Sequence, residues 1–200
     1  MKLFMLPLMA LLLSITLSGC DRPSPSSSLV LEGKTMGTYW RASLAGVDSA
    51  REAGLKQAIQ QLLDADDHEL STWKKDSELS VFNQSRSQQP QAISENMADI
   101  ITLSLRIGKK TEGAMDITVG PLVNLWGFGP DKQPVNTPNQ AQIDAARALT
   151  GLQHLKVIQS GEGQWLQKDL PALYVDLSTV GEGFATDHLA RLMEKEGINK

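Results

Sequence analysis

The sequence predicts a mixed α+β domain in which helices pack on a largely antiparallel sheet. Three observations lead there. Apolar residues recur at helical spacing in two long stretches, from Ser49 to about Leu70 and from Ser94 to about Thr111. Short strand-like runs come as neighbours joined by glycine-containing turns, the pattern of antiparallel pairs. Strand pairs and helices also come in unequal clusters, as α+β folds arrange them.

The chain begins with a leader. Met1-Lys2 is followed by an apolar run through Leu17 that breaks at Ser18-Gly19-Cys20, so residues 1–19 are expected to be a secretory signal, too short to span a bilayer. Leu17-Ser-Gly-Cys20 resembles the lipobox of bacterial lipoproteins. Cys20 is the single cysteine, which excludes a disulfide within the chain and makes it the expected lipidation (palmitate-type) site. Residues 20–28 then read as a lipidated start and a Pro/Ser-rich flexible tether. Asp21 resembles the aspartate that retains lipoproteins at the inner membrane of enteric-type bacteria. The expected location is therefore the periplasmic face of the cell inner membrane, lipid-anchored. Nineteen Lys and Arg stand against 23 Asp and Glu, a formal net charge of −4, and losing Lys2 with the signal makes the balance more acidic still. This balance, without a basic patch interleaved with aromatics, argues against nucleic acid as a partner.

From residue 29 onward the elements follow in order. Leu29–Leu31 and Thr38–Leu44 are expected strands around the polar turn Glu32-Gly-Lys-Thr35, with Met36-Gly37 between. Leu55, Ala58, Ile59, Leu62 and Leu63 define one face of a helix. Its acidic run Asp64-Ala-Asp-Asp67 is read as a solvated face and not a metal site, since no glycine turn of the calcium-loop kind follows. A short helix over Asp76–Asn83 is capped by Asp76 or Ser77, and Gln84–Gln91 is a loop. Ser94 caps the second long helix, which carries Lys109 and Lys110 in its last turn and stops near Gly113.

The chain is organised around the stretch that comes next, Gly113 to Pro130. It bends at repeated glycines and prolines yet holds Val119, Leu122, Val123, Leu125 and Trp126, expected to be a buried base. Its one charge, Asp116, reads equally as a helix or turn cap and as a functional carboxylate. Thr137-Pro-Asn-Gln140 starts a helix to about Leu149, with Thr137 as cap. Leu155–Ile158, Gln164–Gln167 and Leu173–Leu177 are expected strands. Val180-Gly-Glu-Gly-Phe-Ala185 opens a last helix carrying Leu189, Leu192 and Met193. A strand, a glycine turn and a helix ending at glycine normally feed a further strand, so the chain reads as the N-terminal portion of a longer protein.

Few residues suggest covalent chemistry. His68, His154 and His188 lie in no nucleophile elbow or zinc pair and are expected in surface or core roles. Val175–Phe184 is more suggestive: a strand, a glycine turn with Ser178 and Thr179, then a helix start that favours anions. Glu182 opposes phosphate there unless a cation such as Mg²⁺ intervenes. Trp73 offers a plane for a ring system, and Met36 a thioether to pack on it.

Four motifs in order, Lys34-Thr-Met-Gly-Thr38, Leu70-Ser-Thr-Trp73 with Asp76–Asn83, Gly113-Ala-Met-Asp-Ile-Thr-Val-Gly-Pro-Leu122, and Asp176-Leu-Ser-Thr-Val-Gly-Glu-Gly183, resemble the bacterial FAD:protein FMN transferases. These are the ApbE-like flavin transferases, once called thiamine biosynthesis lipoproteins. The resemblance covers residues 29–200 as an incomplete ApbE-like domain. It implies Mg²⁺-dependent transfer of the FMN half of FAD to a threonine hydroxyl of acceptor proteins, among them subunits of membrane redox complexes, with release of AMP. It implies FAD contacts at Met36, Trp73, Ala114, Met115, Asp116 and position 182, and a Mg²⁺ ligand at Thr179 through its carbonyl. Many members carry lysine where this chain has Glu182. The family's candidate general base and remaining metal ligands are expected beyond Lys200. The residues themselves leave open an FAD-binding lipoprotein without transfer activity, an FAD pyrophosphatase and a structural lipoprotein.

Overall fold

A hairpin opens the fold of the computed structural model, which describes residues 28–130 and 136–199; the signal, Cys20 and the tether up to residue 27 lie outside the described residues. Strands β1 (Ser28–Thr35) and β2 (Thr38–Ala45) pair antiparallel with Thr35 opposite Thr38. Two expectations are corrected here. Ser28 already belongs to β1 instead of the tether, and Glu32–Thr35 is strand, not turn. The turn is Met36-Gly37, whose φ values of 47° and 74° are both positive. That is the condition for a two-residue loop whose twist matches its flanking strands, so it displaces the longer polar turn.

A single 3₁₀ turn at Ser49–Arg51 leads into α1 (Glu52–Leu70). Leu55, Ile59, Leu63 and Leu70 of α1 are buried, as its period requires. Helix α2 (Glu78–Gln84) is capped by Ser77, whose hydroxyl accepts from the Ser80 N–H. The segment read as a loop contains a short strand, β3 (Gln91–Ile93), too brief to announce itself by alternation. Ser94 caps α3 (Glu95–Lys110) as expected. The helix stops in a Schellman arrangement: Gly113 N–H donates to the Gly108 carbonyl and Glu112 N–H to that of Lys109. Glu112, at φ 53°, takes the left-handed position usually given to glycine.

The organising stretch differs from its expected form. Val119, Leu122, Val123 and Leu125 are only half-buried and Trp126 is exposed, because residues Gly120–Leu125 form a short helix, α4, lying at the surface. The buried side chains of the stretch are those of Ile117 and Thr118. Helix α5 (Gln140–Arg147) is capped by Asn139 and not Thr137, two residues later than expected: Asn139 Oδ1 accepts from the Gln142 N–H and the Gln142 side chain accepts from the Asn139 N–H, a reciprocal capping box.

Strands β4 (Leu155–Ser160) and β5 (Gly163–Lys168) form the second hairpin, and β3 pairs with the far edge of β5. Every pairing among the described residues is antiparallel, divided between a two-stranded and a three-stranded sheet. Leu173–Leu177 joins neither. It runs as an extended, almost wholly buried segment in which Leu173 N–H donates to the Leu170 carbonyl, Asp176 N–H donates to the Ile117 carbonyl, and the Asn83 side chain bonds both backbone groups of Val175. Helix α6 (Gly181–Lys195) is the last element among the described residues, with a glycine stop at Gly197 (φ 74°).

Two apolar clusters hold these parts. One gathers α2, α3, β4, β5 and the Leu173–Leu177 segment around Phe82, Met97, Ile101 and Leu166. The other packs the β1–β2 hairpin on α1 and α6 through Leu31, Trp40, Ile59 and Met193. Among the described residues, no helix is long and apolar enough to cross a membrane.

Candidate functional site

Three elements converge on one cleft. The tip of the β1–β2 hairpin contributes Met36 and Gly37. The end of α1 and the loop after it contribute Asp67, Leu70, Ser71, Thr72, Trp73 and Lys74; Leu177 and Ser178 on the approach to α6 and Gly181 and Glu182 in its first turn complete it. Its volume, about 520 Å³, is in the range of small-molecule sites.

Each wall is fixed from behind. Gln60 on α1 ties the hairpin tip down: its amide donates to the Lys34 carbonyl at 2.9 Å and its oxygen accepts the Trp40 indole N–H at 3.0 Å. The Thr35 hydroxyl reaches the Leu63 carbonyl. Met36 therefore sits in a left-handed conformation that costs a residue with a Cβ roughly 1–2 kcal/mol, and the surroundings hold it there. Trp73 is 65% exposed, yet its backbone is immobilised. The Ser71 hydroxyl accepts from the N–H groups of Trp73 and Lys74, and the Ser71 carbonyl accepts from the buried hydroxyls of Ser77 and Ser80. An exposed aromatic plane on a fixed backbone offers a platform for another ring.

The third wall depends on α2 and β5. The Asn83 amide brackets Val175, and the ammonium of Lys168 donates to the carbonyls of Phe82 and Leu173 at 3.2 and 3.1 Å. Lys168 is fully buried; burial first, and the charge of Arg86 second, lower its pKa to about 8. Together they fix Leu173–Leu177, which delivers Ser178 and the start of α6 to the cleft. Asp176 N–H donates to the Ile117 carbonyl at 2.7 Å, and the Asp176 carboxylate accepts from Ser178 N–H at 2.8 Å.

A pair, buried at Asp66 and part-buried at His188, ties α1 to α6. His188 Nδ1 lies 3.0 Å from Asp66 Oδ1, with the Phe184 ring 4.3 Å from the imidazole. This corrects the solvated-face reading of the acidic run: Asp66 is 1% exposed because it falls on the inward side of α1, in step with Leu63 and Leu70. Burial raises its pKa and the hydrogen bond and charge of His188 oppose the rise. Its second oxygen, Oδ2, is buried without a hydrogen-bond partner among the described residues.

Of the residues singled out in the sequence, Met36, Trp73 and Glu182 meet at the cleft. Ala114, Met115 and Asp116 do not line it. They lie on the loop after α3, held against that helix where Gly108 leaves room: a Cβ there would stand 2.8 Å from the Met115 carbonyl. Asp116 makes the tight turn anticipated as one of its two roles, its Oδ1 accepting from Thr118 N–H and Oγ1 at 2.7 and 2.6 Å. Thr179 is exposed in the turn between Ser178 and α6, one residue from the lining. Sequence reading passed over Asn83, Asp66 and Lys168. The available signal was a polar residue at an inward position of an otherwise apolar period.

The chain as a whole is similar to known proteins. The family model described as ApbE family matches residues 36–200. The chain belongs to the ApbE family. The FAD:protein FMN transferase of Escherichia coli (strain K12) is 66% identical over 188 residues, which cover 91% of this chain and 54% of that protein. That of Salmonella typhimurium is 62% identical over 204 residues, covering 99% and 58%. The solved flavin transferase ApbE from Vibrio cholerae superposes with a TM-score of 0.80 at 41% identity, covering 87% of this chain and 55% of that one. The ApbE chain thus spans about half the length of the relatives it matches, and its two antiparallel sheets with packed helices have the architecture of solved ApbE proteins.

Proposed function

We propose that this ApbE chain is the flavin-nucleotide-binding portion of an enzyme that transfers the FMN moiety of FAD to a threonine hydroxyl of an acceptor protein, releasing AMP. The observation that carries the reading is the convergence of Met36, the exposed Trp73 and the start of α6 on one cleft, in a chain of this family. A ring system on Trp73 would place its phosphates toward Ser178 and the backbone at the start of α6, where partial positive charge favours anions. The reaction is phosphoryl transfer. It requires the acceptor hydroxyl in line with the scissile bond and cancellation of pyrophosphate charge, and no nucleophile on this chain.

Mg²⁺ belongs to this reading. Thr179 would offer a carbonyl and Glu182 a carboxylate, donors suited to a hard cation. Among the described residues no group of three or more His, Cys, Asp or Glu is placed to hold a metal, so these residues supply part of a coordination shell. Ala114, Met115 and Asp116, which do not line the cleft, belong to the same reading as nucleotide contacts. The lipobox-like segment ending in Cys20, with Asp21, supports a lipid-anchored enzyme at the periplasmic face of the inner membrane, near acceptor subunits of membrane redox complexes.

The test incubates the full-length protein with FAD, Mg²⁺ and a candidate acceptor. Release of AMP together with an acceptor mass gain of one FMN is expected. AMP without the mass gain identifies a pyrophosphatase, and binding without AMP identifies a flavin carrier.

A further inference from the structure

We propose that Lys74 is the phosphate-binding arm of the cleft, resting on Asp67 until a flavin nucleotide enters. The inference rests on the flavin reading of the cleft. Three charged residues line it, Asp67, Lys74 and Glu182, so its own balance is acidic and Lys74 is the only cation among the lining residues. A dinucleotide carrying a pyrophosphate meets repulsion from Asp67, and from Glu182 wherever no cation sits between them. Glu182, at the helix start best placed for an anion, withholds the charge that the phosphates need. Lys74 supplies it from another wall.

The position suits that role. Lys74 directly follows the Trp73 platform, and both backbone N–H groups are fixed on the Ser71 hydroxyl at 3.3 and 3.1 Å. The stem of the lysine is therefore anchored while its four-carbon chain and ammonium remain 43% exposed. Ring surface and cation on adjacent residues match a ligand that carries a ring and an anionic group. The ammonium lies 2.6 Å from Asp67 Oδ2. A part-exposed Lys–Asp pair contributes little net stability, and a phosphate offers the ammonium more charge and more acceptor oxygens. Exchange of Asp67 for phosphate therefore proceeds without disturbing the fold. Asp67 has a defined function in this scheme: it keeps the arm folded on the cleft wall and competes with the ligand for it.

The test measures FAD and riboflavin binding to the full-length protein by quenching of flavin fluorescence, with Mg²⁺ and without acceptor. Riboflavin carries the same ring and no phosphate. Lys74→Met is expected to weaken FAD binding about tenfold and riboflavin binding less than about twofold, with Lys74→Arg restoring FAD to within about threefold. Asp67→Asn, which removes the competitor, is expected to tighten FAD binding by about two- to threefold, opposite in sign to Lys74→Met. Equal weakening of both ligands by Lys74→Met would assign the lysine to holding the loop and overturn the inference. So would an Asp67→Asn variant that binds FAD more weakly, because then the ion pair itself is what counts. If the wild type binds FAD and Lys74→Met binds it equally well, the inference falls and the flavin reading stands. A wild type that binds neither ligand removes both.

Discussion

The side-chain amide of Asn83 completes both backbone hydrogen bonds of Val175: its nitrogen donates to the Val175 carbonyl and its oxygen accepts the Val175 N–H, each at 2.8 Å. One side chain thus takes the place of a ladder partner for an extended segment that belongs to neither sheet. Asn83→Leu fills similar space but leaves two buried backbone groups unpaired. Destabilisation of about 2–4 kcal/mol is expected, read as a lower urea midpoint at unchanged m-value.

Lys168 gives that segment a pH dependence. Its pKa in the folded chain is lowered from 10.5 to about 8, so between those values the unfolded chain binds the extra proton. Stability contributed by this group therefore rises with pH across that window, and the cost of its buried charge is fully present below pH 8, on the order of 3 kcal/mol. Denaturant midpoints of wild type and Lys168→Met, compared at steps across the window, should show the wild type gaining on the variant as pH increases. Parallel curves would mean that the amine keeps its ordinary affinity for protons inside the fold.

The Asp66–His188 pair joins two cleft walls. Removing the imidazole leaves Asp66 Oδ1 buried without its partner, and His188→Leu is expected to cost about 1–3 kcal/mol. Asp66→Asn keeps an acceptor for Nδ1 and removes the buried charge whose pKa burial raises, so it should cost far less. The stability of the two variants in guanidinium at pH 7 decides this.

These buried polar residues also mark where sequence reading stops. Helix periods, the Ser77 and Ser94 caps, the β4–β5 hairpin and the cleft residues Met36 and Trp73 were legible because each is a local pattern or a motif. The fate of Leu173–Leu177 was not. An apolar run reads as a strand, and only the Asn83 amide, far away in sequence, shows what satisfies its backbone. Lys168 shares the inward alternation of Leu166 on β5, and Asp66 the inward face of α1, so each was visible as a charge in an apolar period. What such a charge pairs with is a tertiary fact. Trp126 was misplaced for the complementary reason: glycines and prolines around an apolar run signal bending, and bending fits a surface helix as well as a buried wrap.

Asp116 separates turn from ligand chemistry. Asn at this position retains an oxygen for the Thr118 N–H and loses the negative charge. Asp116→Asn should therefore change folding stability by less than about 1 kcal/mol. If the carboxylate contacts the nucleotide, affinity for FAD falls at least about fivefold in the same variant. Calorimetric titration of FAD beside a thermal melt reads both quantities from one preparation.

Met36 carries the clearest conflict between local preference and position. A two-residue hairpin loop with both φ values positive favours Asn-Gly, and this chain has Met-Gly at 47° and 74°. Met36→Asn relieves the left-handed cost to a β-carbon-bearing residue and forfeits the part-buried packing of the thioether on the hairpin–α1 cluster. Those two effects are each about 1 kcal/mol and opposed, so the melting temperature should move by only a few degrees either way. The cleft is not compensated in this manner, because the thioether is one of its lining groups. FAD affinity should drop about tenfold or more, measured on the full-length protein by flavin fluorescence quenching. An unchanged affinity with raised stability would show that methionine at the hairpin tip serves neither the fold nor the ligand.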